Sequence, residues 1–249
     1  FGYGPKGWEF ESSRARQNNY FILNIFNYKS IMEIKLKTLY AIIFYILMGN
    51  NIVLGEKIII FNFNKDEIKN YKKHSIKGNT NYTIIKDVKG NYLKAEAKAS
   101  ASGLGVEKKI NLNATPYLNI VWKLEKGLEG IKEDTKKGHD FALRVFVIKS
   151  TGKLPWQKKV INYVFSSNKT KGDHWISPYT KQSVDYALSS LKSEKKNQWI
   201  SVKTNVKNDF LKIHNLSVDS IDGIAVMSDT DNSKLEVIGY YQNIYFSSK

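Results

Sequence analysis

From Ile221 to Asn232 the chain reads I-D-G-I-A-V-M-S-D-T-D-N. Ile224-Ala225-Val226-Met227 is a short apolar run that leads directly into Ser228, Asp229, Thr230, Asp231 and Asn232. Such a run, bounded by turn-forming residues, reads as a buried strand. The polar tail then reads as the loop at the strand's end. Oxygen-bearing side chains crowded there suit a hard cation, sugar hydroxyls, or a turn in which Asp and Asn bond their own backbone.

Outward from this stretch, the same kind of segment recurs. Ile58–Phe63, Val106–Leu112, Val160–Phe165, Val184–Leu191, Trp199–Val202 and Val237–Phe246 read as strands. Tyr82–Val88 and Tyr92–Ala97 flank Lys89-Gly90-Asn91, a hairpin with glycine at its turn. Ser100–Gly105 is a small-residue segment ahead of the Val106 strand. Tyr117–Leu124 alternates, with Ile120, Trp122 and Leu124 on one face. Phe141–Ile148 puts Phe141, Leu143, Val145 and Val147 on one face. Asn205–Ile213 carries Val206, Phe210 and Ile213 at helical spacing. Nine or ten short strands with at most one or two short helices predict an all-β, two-sheet β-sandwich or jelly roll. One mixed polar and aromatic face is expected to be the working one.

Composition narrows the function classes. The chain has 249 residues, 42% of them hydrophobic and 13% aromatic, enough for a packed core. It has no cysteine, which excludes disulfides, thiolate metal sites and thiol nucleophiles. The formal charge is +16, but Lys and Arg are spread along the chain instead of gathering in a stripe, so no nucleic-acid partner is expected. No phosphate-binding loop, dinucleotide fingerprint or G-x-S-x-G elbow occurs, and the four histidines have neither metal nor triad spacing.

The first 55 residues read as outside the working fold. Met32 is followed by basic Lys35 and Lys37, an apolar run from Leu39 to Met48, and Val53-Leu54-Gly55 before Glu56. That is the order of a secretory signal peptide over 32–55, cut after Gly55. It predicts an exported, periplasmic or extracellular protein that meets the membrane only through this segment, if uncleaved. Residues 1–31 are expected to be an upstream extension; Glu9-Phe10-Glu11-Ser12 and Arg14-Ala15-Arg16-Gln17 resemble a translated transfer-RNA gene end. The expected domain is then 56–249.

Several segments together resemble a known family. They are Lys94-Ala95-Glu96 with Ser100–Leu104; Pro116-Tyr117-Leu118 with Val121-Trp122; Gly138–Ala142 with Arg144-Val145; Asn162–Ser166; Pro178-Tyr179-Thr180; and Ile221–Ala225 with Ser228–Asn232. In this order the chain resembles the bacterial family catalogued as domain of unknown function 3047. The resemblance implies an exported β-sandwich related in shape to carbohydrate-binding modules, without a settled activity. Its motif positions fall here on Asp140, Arg144, Asn162, Tyr163, Tyr179, Asp229, Asp231 and Asn232. This chain departs in having His139-Asp140 where the family often has two acids, and Phe165 where it often has Trp.

These residues suggest candidate chemistry. Asp229, Asp231 and Asn232, with Asp140, could supply the oxygens of a calcium site. Asp140 and Arg144, four apart, would share a strand face and form a charge pair. Tyr163, Trp175 and Tyr179, near Trp156, would stack on sugar rings, with Arg144, Asn162 and Asp140 hydrogen-bonding the hydroxyls. The expected function is non-catalytic binding of a carbohydrate or cell-envelope glycan. The alternatives are a polysaccharide hydrolase or lyase using paired carboxylates, and a structural envelope protein. Paired carboxylates across an open cleft would favour the enzyme; their burial against Arg144 would favour a structural network.

Overall fold

The structure, a computed structural model, describes residues 32, 35–40, 55–64, 68–88, 90–154 and 156–249. The chain divides into two compact units, Phe1–Leu54 and Gly55–Lys249. In the first, Met32 and residues 35–40 are helical and exposed; residues 1–31 and most of the apolar run of the expected signal segment lie outside the described residues. No helix among the described residues is long and apolar enough to cross a membrane.

The second unit is a sandwich of two β-sheets. In chain order its strands are β1 (Lys57–Phe61), β2 (Lys72–Lys77), β3 (Asn81–Ile85), β4 (Tyr92–Lys98), β5 (Ala101–Asn111), β6 (Tyr117–Lys126), β7 (Arg144–Ser150), β8 (Lys158–Ser166), β9 (His174–Ile176), β10 (Ser183–Ser190), β11 (Trp199–Asn205), β12 (Ser220–Asp229) and β13 (Glu236–Ser247). Sheet one runs β11-β6-β13-β4-β3, and β1 pairs with the last residues of β13 beyond β4. Sheet two runs β2-β5-β12-β7-β8-β10-β9. Every pairing is antiparallel except β8 with β10, which is parallel.

The core lies between the sheets. On β6, Leu118, Ile120, Trp122 and Leu124 are buried while the residues between them are half-exposed, the alternation of a strand with one covered face. Trp122 packs against Phe165 of β8, ring centroids 6.0 Å apart, and its indole N–H donates to Ser189 Oγ at 3.0 Å. Truncating such a buried ring to alanine costs about 3–5 kcal/mol. The helix α1 (Val206–His214) follows β11 directly. Asn205 caps it, its side chain accepting from the Asn208 N–H at 3.1 Å, and Asn215 closes it in the left-handed conformation.

Beyond shifts of two or three residues at strand ends, as in β1, β3 and β11, the strands differ from expectation in these respects. The small-residue segment is itself strand, the first part of β5, with Gly103 and Gly105 opposite Met227 and Ala225 of β12, and at Gly103 the packing leaves no room for a side chain. A Cβ on Gly103 would sit 2.7 Å from the Val226 carbonyl oxygen. The strand ahead of the polar tail extends to Asp229, so Ser228 and Asp229 carry sheet register. β7 starts at Arg144, which leaves Asp140 and Phe141 in the incoming connection. Finally, β2 and β9 are additional strands: β2 is exposed at all six positions and β9 has three residues, so neither shows an apolar pattern.

Candidate functional site

Register places the acid cluster. Met227 of β12 lies opposite Arg144 of β7, and Asp229, two residues on, points to the same outer face of sheet two. Arg144 Nη2 therefore donates to Asp229 Oδ2 at 3.0 Å, with both side chains buried. Asp140 arrives from the connection before β7. Its Oδ1 accepts from the Asn232 backbone N–H at 3.2 Å and the Asn232 amide at 2.9 Å, and its Oδ2 from the Ser233 N–H at 2.5 Å. One carboxylate oxygen from each of Asp140, Asp229 and Asp231 falls within 4.8 Å of the others.

Three carboxylates against one guanidinium leave this pocket two negative charges in excess when all are ionised. Burial raises the Asp229 carboxyl, Arg144 pulls it back, and Asp140 and Asp231 raise it again, so that it titrates at about 7. Asp229 Oδ1 and Thr230 Oγ1 are buried without a hydrogen-bond partner in the structure. A hard cation with oxygen ligands would satisfy both the charge and the orphaned oxygen. Asn232 is differently used: its Oδ1 accepts the Tyr179 hydroxyl at 2.5 Å, and its amide N–H groups serve Asp140 and the His139 carbonyl.

The expected sugar contacts separate in the structure. Tyr179 is 53% exposed, with its ring 5.5 Å from the His139 ring. Trp175 is half-buried against Phe141, and its indole nitrogen has no partner. Trp156 is exposed. Tyr163 corrects the expectation of a stacking ring: it faces the core, fully buried, and its hydroxyl donates to Asp209 of α1 at 2.8 Å. Residues 161, 163 and 165 of β8 point inward, so Asn162 points outward, yet Asn162 is buried too. It donates to Asp185 Oδ1 at 2.8 Å and Ser183 Oγ at 2.9 Å. Asp185 Oδ2 accepts from His139 Nε2 at 2.8 Å. An ionised Asp185 can only accept, and opposite it the imidazole presents its proton on Nε2. His139 thus serves Asp185. The Asp140–Arg144 pair is replaced by Asp229–Arg144, since Asp140 precedes the strand.

Burial also bears on the enzyme alternative. Asp140 and Asp229 are enclosed, and three of their four carboxylate oxygens are held by Asn232, Ser233 and Arg144. This is the network arrangement, distinct from two acids facing each other across a cleft.

Aromatic residues missed by the sequence reading lie on the outer face of sheet one. Tyr92, Trp199 and Tyr240 gather around Lys123, with ring centroids 5.3–6.2 Å apart. They come from β4, β11 and β13, so only the strand order brings them together.

Residues 67–245 match the model of a family described as "Protein of unknown function (DUF3047)". No curated protein matches the sequence. Among solved structures, the chain is similar to a family 30 carbohydrate-binding module of a cellulosomal cellulase of Clostridium thermocellum, at 11% identity over 78% of this chain and 98% of that one, with a TM-score of 0.46. A family 11 carbohydrate-binding module of another cellulosomal cellulase of that organism gives 12% identity, 77% and 94% coverage, and a TM-score of 0.40. The xyloglucanase domain of a type three effector from Sinorhizobium fredii gives 12%, 71% and 93%, and 0.36. At these values the likeness concerns the path of the chain and nothing finer.

Proposed function

This chain belongs to the DUF3047 family, and from that premise we propose that it is an exported β-sandwich that binds a cell-envelope glycan without transforming it. The observation that carries the reading is the exposed Tyr179 ring, whose hydroxyl is tied through Asn232 to the buried acid cluster. An aromatic face takes the apolar C–H side of a sugar ring, while polar groups held at its edge take the hydroxyls. Here the rim is supplied by Asp231, half-buried, and by Lys136, whose ammonium lies 5.8 Å from the Tyr179 ring centre. A calcium ion on Asp140, Asp229 and Asp231 would neutralise the cluster and stiffen the turn that holds Tyr179 in place. The engagement of the Asp140 and Asp229 oxygens supports binding over acid–base chemistry.

The test is calorimetric titration of the full chain with a panel of envelope glycans, in calcium and again in EDTA. Binding is expected in calcium and is expected to be lost in Tyr179→Ala. No binding to any glycan in either condition, or binding indifferent to Tyr179→Ala, would overturn the reading.

A further inference from the structure

We infer that the outer face of sheet one is a second binding surface, and that its ligand is an acidic polysaccharide, a polymer of sugar rings bearing carboxylates. This does not rest on the Tyr179 site, which lies on the other sheet.

The face is organised by three lysines over tyrosine rings. Lys123 Nζ lies 4.1 Å from the Tyr240 ring centre, Lys203 Nζ 4.5 Å from that of Tyr117, and Lys57 Nζ 3.9 Å from that of Tyr245. Register puts all six side chains on one face: Lys123 pairs with Tyr240, Asn119 with both Lys203 and Tyr245, and Ser247 with both Lys57 and Tyr117. Among the described residues none of these three lysines has an ion pair. Of the carboxylates on this face, Glu96 is paired with Lys94 at 2.7 Å and Glu236 with Lys126 at 2.6 Å, while Glu125 keeps its charge and accepts from the Tyr240 hydroxyl. Among the described residues, three lysines without an ion pair against the one unpaired carboxylate, Glu125, leave the face with a surplus of cations, held in position by the rings beneath them.

Geometry suits a chain. Tyr117 and Lys123 are six residues apart on β6, about 20 Å at strand rise. Neutral amides and hydroxyls lie between the charged groups, at Asn119, Gln242 and Ser201, and Trp199 is 40% exposed at one end. Three free cations among rings and neutral polar groups match a polymer with a carboxylate on its sugars. A single-stranded nucleic acid carries a phosphate at every nucleotide and calls for a denser run of cations.

The experiment is calorimetry and affinity electrophoresis of the full chain with three probes: a polygalacturonate oligosaccharide, a neutral β-glucan oligosaccharide of equal length, and oligothymidylate. Polygalacturonate is expected to bind, more weakly as salt rises. Its affinity should fall about tenfold in Lys123→Gln/Lys203→Gln with an unchanged melting temperature. It should also fall in Trp199→Ala and stay unchanged in Tyr179→Ala. The inference is overturned by absent polygalacturonate binding at low salt, by equal binding of the neutral glucan, by tighter binding of oligothymidylate, or by insensitivity to the lysine variants. Loss confined to Tyr179→Ala would also overturn it, because the ligand would then sit on sheet two.

Discussion

Arg144 and Asp229 are 85 residues apart in the chain, yet their side chains meet at 3.0 Å inside the protein. The contact follows from β7–β12 register and from one face of one sheet. Removing Arg144 leaves three clustered carboxylates without their cation, and removing Asp229 leaves the buried guanidinium without its hydrogen-bonded partner. Asp229→Ala or Arg144→Met is each expected to cost about 3–5 kcal/mol. The double variant Arg144→Met/Asp229→Leu should cost clearly less than the sum. Urea unfolding of the two singles and the double closes the cycle, and additive losses would show that the pair is not coupled.

Calcium is expected to raise the melting temperature of the full chain. At a hundredfold excess over its dissociation constant the gain is about 2.7 kcal/mol, on the order of 5–10 °C for a unit of this size. The gain should vanish in EDTA and in Asp231→Asn, which keeps the side-chain volume and removes one charge. A melting temperature indifferent to calcium would reduce the acid cluster to a support for the 230–234 turn.

Glu133 gives the fold a pH dependence remote from that cluster. Its carboxyl is buried, accepts from the Ser166 hydroxyl and from the Ser167 N–H at 2.6 Å, and is pushed by burial from 4.5 to about 7. The folded state thus holds a proton that the unfolded state has released. The resulting stability is fully present below pH 4.5 and is lost as pH rises through about 7, up to about 3 kcal/mol in total. Glu133→Gln should flatten this part of the melting-temperature profile between pH 5 and 8. An unaltered slope in the variant would assign it to other groups.

Among the glycines of sheet two, Gly103 leaves the least room for a side chain. Its missing Cβ would fall 2.7 Å from a backbone oxygen of β12, which cannot move without disturbing the ladder. Gly103→Ala is expected to destabilise by about 1–3 kcal/mol in chemical denaturation. Gly105→Ala, where the same atom would meet Ala225 Cβ at 3.6 Å, should be nearly neutral.

Alternation made β6 legible, since Ile120, Trp122 and Leu124 face the core as their spacing implied. The hairpin at Gly90 and the helix after Asn205 were legible for the same kind of local reason. Tyr163 was not: an apolar run such as Val160–Phe165 hides which parity faces inward, and both faces of β8 proved to be covered. The second cover is Phe141, packed on Val164 and Ala187 from a connection that the alternation had suggested as strand. Bringing Asp140, Asp229 and Asp231 together was within reach of the sequence, because all three sat in the motif segments. Assigning Arg144 to Asp229 required knowing where β7 begins. The Tyr92–Trp199–Tyr240 group was beyond reach, because its members come from three strands whose order no local pattern encodes.

The position of β13 has a consequence for how the chain reaches this state. It is the last strand in sequence, yet it pairs with β1, β4 and β6 and holds sheet one together. Sheet one therefore cannot close until residues 236–247 have been synthesised. Closure of sheet one must await β13, and the long-range contacts of the sandwich predict a slow, millisecond-to-second process. A nonsense codon anywhere ahead of Glu236 would leave β4 and β6 each with a bare edge where β13 should lie.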